Sequence, residues 1–75
     1  MFRANIEAER ARLGITKSKM SEELGVTLKT YTGYINGAPI PSAKLEKLRD
    51  MTGKTIDYLL GLDDLMAASS DSESA

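Results

Sequence analysis

The sequence predicts an all-α fold, a bundle of five short helices. Three observations carry that expectation. Gly14, Gly25, Gly37, Gly53 and Gly61 cut the chain into segments of helix length. Thr16, Thr27, Ser42 and Thr55 stand where the following segments begin, and a hydroxyl there can accept a hydrogen bond from an orphan N–H of the first turn. No stretch alternates apolar and polar residues as a strand would.

Taken in order, the first helix is expected over about residues 3–13, with Phe2, Ile6 and Leu13 on one face and Ala4, Ala8 and Ala11 beside it. The second, about 17–24, buries Met20 and Leu24, with Ile15 just before it. The third, about 28–36, carries Tyr31, Tyr34 and Ile35. Pro39 and Pro41 forbid a helix through the next loop. A fourth follows over about 43–52 with Leu45, Leu48 and Met51, and a short fifth over about 56–60 with Ile56, Leu59 and Leu60. Residues 67–75 hold no apolar side chain larger than alanine. They are expected to form a disordered, acidic, serine-rich tail behind a domain of residues 1–66.

Composition excludes several kinds of chemistry. The chain has 75 residues, enough for one small domain. It contains no cysteine and no histidine, which removes disulfides, the usual zinc sites and histidine-based nucleophile pairs. Glu22-Glu23 and Asp63-Asp64 diverge by about 100° on a helix, so they read as solvated faces rather than metal sites. No enzyme, cofactor or small-molecule ligand is expected. The start of the chain does not resemble a signal peptide, and no apolar run reaches membrane-spanning length. A soluble cytoplasmic protein is expected, and Met1 and the polar end read as those of a complete chain. The formal net charge is −1, but it is unevenly spread. All ten Lys and Arg lie between Arg3 and Lys54, where seven acids leave a formal +3 over residues 1–61. That balance permits a polyanionic partner without demanding one.

The informative stretch is residues 16–37. It reads as two short helices joined at Gly25, with the small Ser21 and the apolar Val26 allowing a close, steep crossing. This is a helix-turn-helix arrangement. Around it stand Arg10 with Leu13-Gly14-Ile15-Thr16, then Leu24-Gly25-Val26-Thr27, Asn36-Gly37, Pro41-Ser42 and Thr55-Ile56-Asp57-Tyr58-Leu59-Leu60-Gly61. In order and spacing, from about residue 6 to 62, these resemble the phage repressor/Cro (Xre-type) helix-turn-helix family. The resemblance implies a lambda-repressor-like DNA-binding domain. Three positions depart from the family pattern: Lys17 stands where glutamine is common, Ser21 where alanine is usual, and Ile35 where a glutamate often pairs with Arg10. Arg10 reads as structural, and its partner is left open between Glu7, Glu9 and a phosphate.

At about 100° per residue, Tyr31, Tyr34 and Ile35 share the core side of the third helix, with Thr30 at its margin; Lys29, Thr32, Gly33 and Asn36 lie opposite. Leu28 falls at the boundary, either groove or core edge. The resemblance implies that bases are read from Thr27, Leu28, Lys29, Thr32 and Gly33. Phosphates are expected at Lys17, Asn36, Ser42 and Lys44, with Lys19 a weaker candidate. Thr27 and Ser42 are expected to act as caps first. Double-stranded DNA is the expected partner. A homodimer is the expected assembly, with Tyr58, Leu62, Leu65 and Met66 forming an apolar strip for the partner copy. The function implied is a repressor-like transcriptional regulator. The alternative is a protein-interaction module, an antitoxin or anti-repressor on the same fold.

Overall fold

Threonine hydroxyls open three of the helices. In the computed structural model, which describes residues 2–62, the chain runs through α1 (Ala4–Leu13), α2 (Lys17–Leu24), α3 (Leu28–Ile35), α4 (Ser42–Thr52) and α5 (Ile56–Leu60). No strand occurs among the described residues. The Thr16 hydroxyl accepts from the Lys19 N–H at 3.0 Å, Thr27 from Thr30 at 3.1 Å and Thr55 from Tyr58 at 3.1 Å. Each cap satisfies one of the donors that a helix start leaves without an intrahelical partner.

Ser42 does not cap. Pro41 takes that position instead, with φ −59° and ψ 148°. Its carbonyl accepts from the Lys44 and Leu45 N–H groups at 2.9 and 3.1 Å. The fixed proline ring sets the extended entry to the helix, so α4 starts at Ser42, one residue before the expected boundary. Phe2 also departs from expectation. Arg3, at φ −94° and ψ 73°, precedes α1 as its non-helical neighbour. The turn of the chain there takes Phe2 out of register with Ile6 and leaves it 60% exposed.

All five helices contribute to one core: Ile6 from α1, Met20 and Leu24 from α2, Tyr31 and Ile35 from α3, Leu48 from α4 and Leu59 from α5. Ile15, Val26, Ile40, Met51 and Tyr58 close over it. Each such large side chain contributes about 1.5–3 kcal/mol when fully buried. α1 packs on α3, α4 and α5, α4 packs on α1, α2 and α5, and α2 packs on α3. Polar ties reinforce this order. The Arg3 backbone N–H donates to the Ile35 carbonyl, and Arg3 Nη1 donates to the carbonyls of Tyr34 and Ala38, both at 2.6 Å. Asn5 Nδ2 donates to the Tyr58 carbonyl at 2.6 Å. Among the described residues, no helix is long and apolar enough to cross a membrane. The expected tail, residues 67–75, lies outside the described residues.

Candidate nucleic-acid interface

The turn between α2 and α3 fixes how the two helices cross. Gly25 closes α2 in the left-handed region at φ 72°, with its N–H directed to the carbonyls of Glu22 and Ser21. A side chain there would be strained. Its Cβ would also lie 3.5 Å from Lys44 Nζ. The Lys44 ammonium therefore rests over the carboxy-terminal end of α2, where the helix dipole favours a cation. Ser21 is buried in the crossing and donates to the Ser18 carbonyl at 2.7 Å. Its hydroxyl is thus satisfied where a methyl group would otherwise pack.

α3 has two distinct faces. Tyr31, Tyr34 and Ile35 are buried, whereas Thr27, Leu28, Lys29, Thr30, Thr32 and Asn36 are exposed. Leu28, at 46% exposure, lies on the solvent side of the boundary. Lys29 forms no ion pair with any carboxylate among the described residues. Gly33 is different. It is half-buried, and a Cβ there would touch Ala38 Cβ at 3.8 Å. The Ala38 N–H also donates to the Gly33 carbonyl at 2.9 Å. Position 33 thus packs under the loop after α3, beside the open face rather than in its middle.

Lys17, first in α2, is 58% exposed, with its ammonium 3.9 Å from Glu7 Oε1. Ser42 opens α4, also exposed and without a protein hydrogen-bond partner among the described residues. The amino-terminal residues Lys17 of α2 and Ser42 of α4 are thus exposed, as is the polar face of α3. A helix-turn-helix family model matches residues 6–59, most of the chain. The chain belongs to the phage repressor/Cro (Xre-type) helix-turn-helix family. That family is one of DNA-binding regulators. No curated protein and no solved structure gives a match.

In this Xre-type chain, Ile35 occupies the place of the glutamate that often partners Arg10, and the structure supplies another acid. Arg10 Nε and Nη2 donate to the two Glu7 oxygens at 3.1 and 3.2 Å, and Nη1 donates to the Ile15 carbonyl at 2.6 Å. The Tyr31 hydroxyl donates to Glu7 Oε2. Burial pushes the Glu7 carboxyl up, but the hydrogen bonds from Arg10 and Tyr31, with the charges of Arg10 and Lys17, outweigh it and hold the group below its ordinary 4.5. Burial and the bond to Glu7 together raise the Tyr31 phenol well above its usual range. The Glu7 bond likewise raises Arg10.

Three residues that sequence reasoning missed hold the domain behind this interface. Arg3 ties the loop after α3 to the start of α1. Glu9, only 4% exposed, accepts from Arg12 Nε at 2.7 Å and from the Tyr58 hydroxyl at 3.4 Å. Arg12 Nη2 continues to the Thr52 carbonyl at 3.0 Å. Of the strip expected to meet a partner copy, Tyr58 is half-buried against the core and Leu62 is exposed, while Leu65 and Met66 lie outside the described residues.

Proposed function

We propose that this chain is a sequence-specific, repressor-like transcriptional regulator that lays α3 in the major groove of double-stranded DNA. The observation that carries the reading is the two-faced α3: Tyr31, Tyr34 and Ile35 are buried, and Leu28, Lys29 and Thr32 stand exposed on the opposite side. Lys29 donates to guanine O6 and N7, Thr27 and Thr32 meet base edges or thymine methyls, and Leu28 packs on a thymine methyl. The Gly33 backbone lets the helix approach closely. Lys17, Asn36, Ser42 and Lys44 bind phosphates and fix the register. Two copies bind half-sites about 34 Å apart, paired through Tyr58, Leu62, Leu65 and Met66.

The test is selection from a randomised duplex pool at low salt, run beside Lys29→Ala. A palindromic motif that Lys29→Ala blurs, at a cost of about 1–3 kcal/mol in affinity, supports the reading. Binding without a motif, or no binding, overturns it in favour of an antitoxin or anti-repressor that recognises protein.

A further inference from the structure

We propose, on the basis of the DNA-binding reading above, that Glu7 is an electrostatic restraint on the interface, a positioning residue whose carboxylate competes with a DNA phosphate for Lys17. Glu7 is on α1 and Lys17 opens α2, so the pair spans two elements. Three groups converge on the carboxylate. Arg10 engages both oxygens at 3.1 and 3.2 Å, the Tyr31 hydroxyl donates to Oε2, and Lys17 Nζ stands 3.9 Å from Oε1. Arg10 and Tyr31 are held by direct hydrogen bonds. Lys17 has the longest contact of the three and the more exposed side chain, 58% against 17% for Glu7. It is the partner that can leave without breaking the others.

The place it occupies explains why two anions contend for it. A cation in the first turn of a helix opposes the helix dipole, and an anion nearby relieves that. The Thr16 hydroxyl caps only the Lys19 N–H, so other first-turn donors of α2 remain open to an external anion. Within the folded chain the compensating anion is Glu7. In a complex it is a phosphate, and Lys17 turns outward to it while Arg10 and Tyr31 keep Glu7 charged and fixed. Opening the Lys17–Glu7 pair to free the lysine weakens binding to every sequence alike.

Glu7→Gln keeps an oxygen for Arg10 and an amide that can donate to the Tyr31 hydroxyl, and it removes the charge. Its affinity for both the selected operator and an unrelated duplex should rise about three-fold at low salt, the order expected when binding no longer has to break one partly exposed ion pair. The gain should shrink as salt is added. In a Lys17→Ala background the same substitution should give a clearly smaller gain. A folded Glu7→Gln that binds no more tightly overturns the inference, as does a gain undiminished by Lys17→Ala. Should Glu7→Gln fail to fold, the unsubstituted chain still decides. By carboxyl NMR the Glu7 titration midpoint should rise when operator binds, because Lys17 leaves and a phosphate arrives; an unmoved midpoint overturns the inference. If the unsubstituted chain binds no duplex at low salt, the DNA-binding reading itself fails and takes this one with it.

Discussion

Glu7 and Glu9 stand two positions apart on α1 and therefore leave the helix on nearly opposite sides. Both use the same local device. Each pairs with an arginine three residues on, and each accepts a tyrosine hydroxyl from a distant helix. Their surroundings differ. Glu7 faces α2 and α3, stays partly open to solvent and has Lys17 at its edge. Glu9 faces α4 and α5, is almost wholly buried, and its arginine goes on to the Thr52 carbonyl while Lys54 Nζ sits 6.0 Å above the Tyr58 ring. One side of α1 braces α2 and α3, the two helices of the helix-turn-helix; the other braces α4 and α5. A Glu-x-x-Arg pair on a helix thus says little by itself, and the element it faces decides what it does.

The largest effect is expected from Glu9→Ala. It removes the 3.4 Å bond from the Tyr58 hydroxyl and leaves Arg12 without its carboxylate, at a cost of about 2–3 kcal/mol in urea denaturation. At temperatures where this variant stays folded, duplex affinity should match the parent. A fall in affinity there would erase the division between the two sides. Glu7→Ala should cost less, about 1–2 kcal/mol, because water reaches that side; a cost above that of Glu9→Ala would invert the comparison.

Acid sharpens it further. The Glu7 carboxyl is depressed in the folded chain, so its contribution is fully present above the ordinary 4.5 and is lost as pH falls through that value towards the lower folded one. The stability difference between the parent and Glu7→Gln should therefore narrow below pH 4.5, as read from urea midpoints across a pH series. A gap that stays constant would mean that the charge of Glu7 carries none of it. The smallest effects belong to the tyrosines. Tyr31→Phe should cost about 1 kcal/mol. Tyr58→Phe, whose bond to Glu9 is long at 3.4 Å, should cost less than about 0.5 kcal/mol. Equal values from thermal melts would show that the two hydroxyls are used alike.

Much of this architecture is legible in the sequence because its signals are local. Threonine caps and left-handed glycines act within a turn of the backbone they close, so three of the five helix starts needed no tertiary information. The two faces of α3 follow from period alone, and the burial of Tyr31, Tyr34 and Ile35 matches it. The remainder depends on distant groups. Glu9 reads in the sequence only as one candidate partner of Arg10, until α5 brings Tyr58 to it. The partner of Arg10 stays open in one dimension, since Glu7 and Glu9 are both within reach along the chain; the positions of Tyr31 and Ile15 decide for Glu7. Ser42 fails as a cap because proline precedes it. Gly33 sits beside the exposed face of α3 because the loop beyond α3 folds back to Ala38.

The hydrogen bond from Asn5 to the Tyr58 carbonyl joins residues near the two ends of the described domain. Chain entering at the start of α1 and chain leaving after α5 thus emerge side by side. A unit built this way can be spliced into a surface loop of a host protein through two short linkers, or closed on itself and reopened at the loop between α3 and α4, with little need to stretch the fold. The bond that steadies α1 against α5 also makes the domain portable.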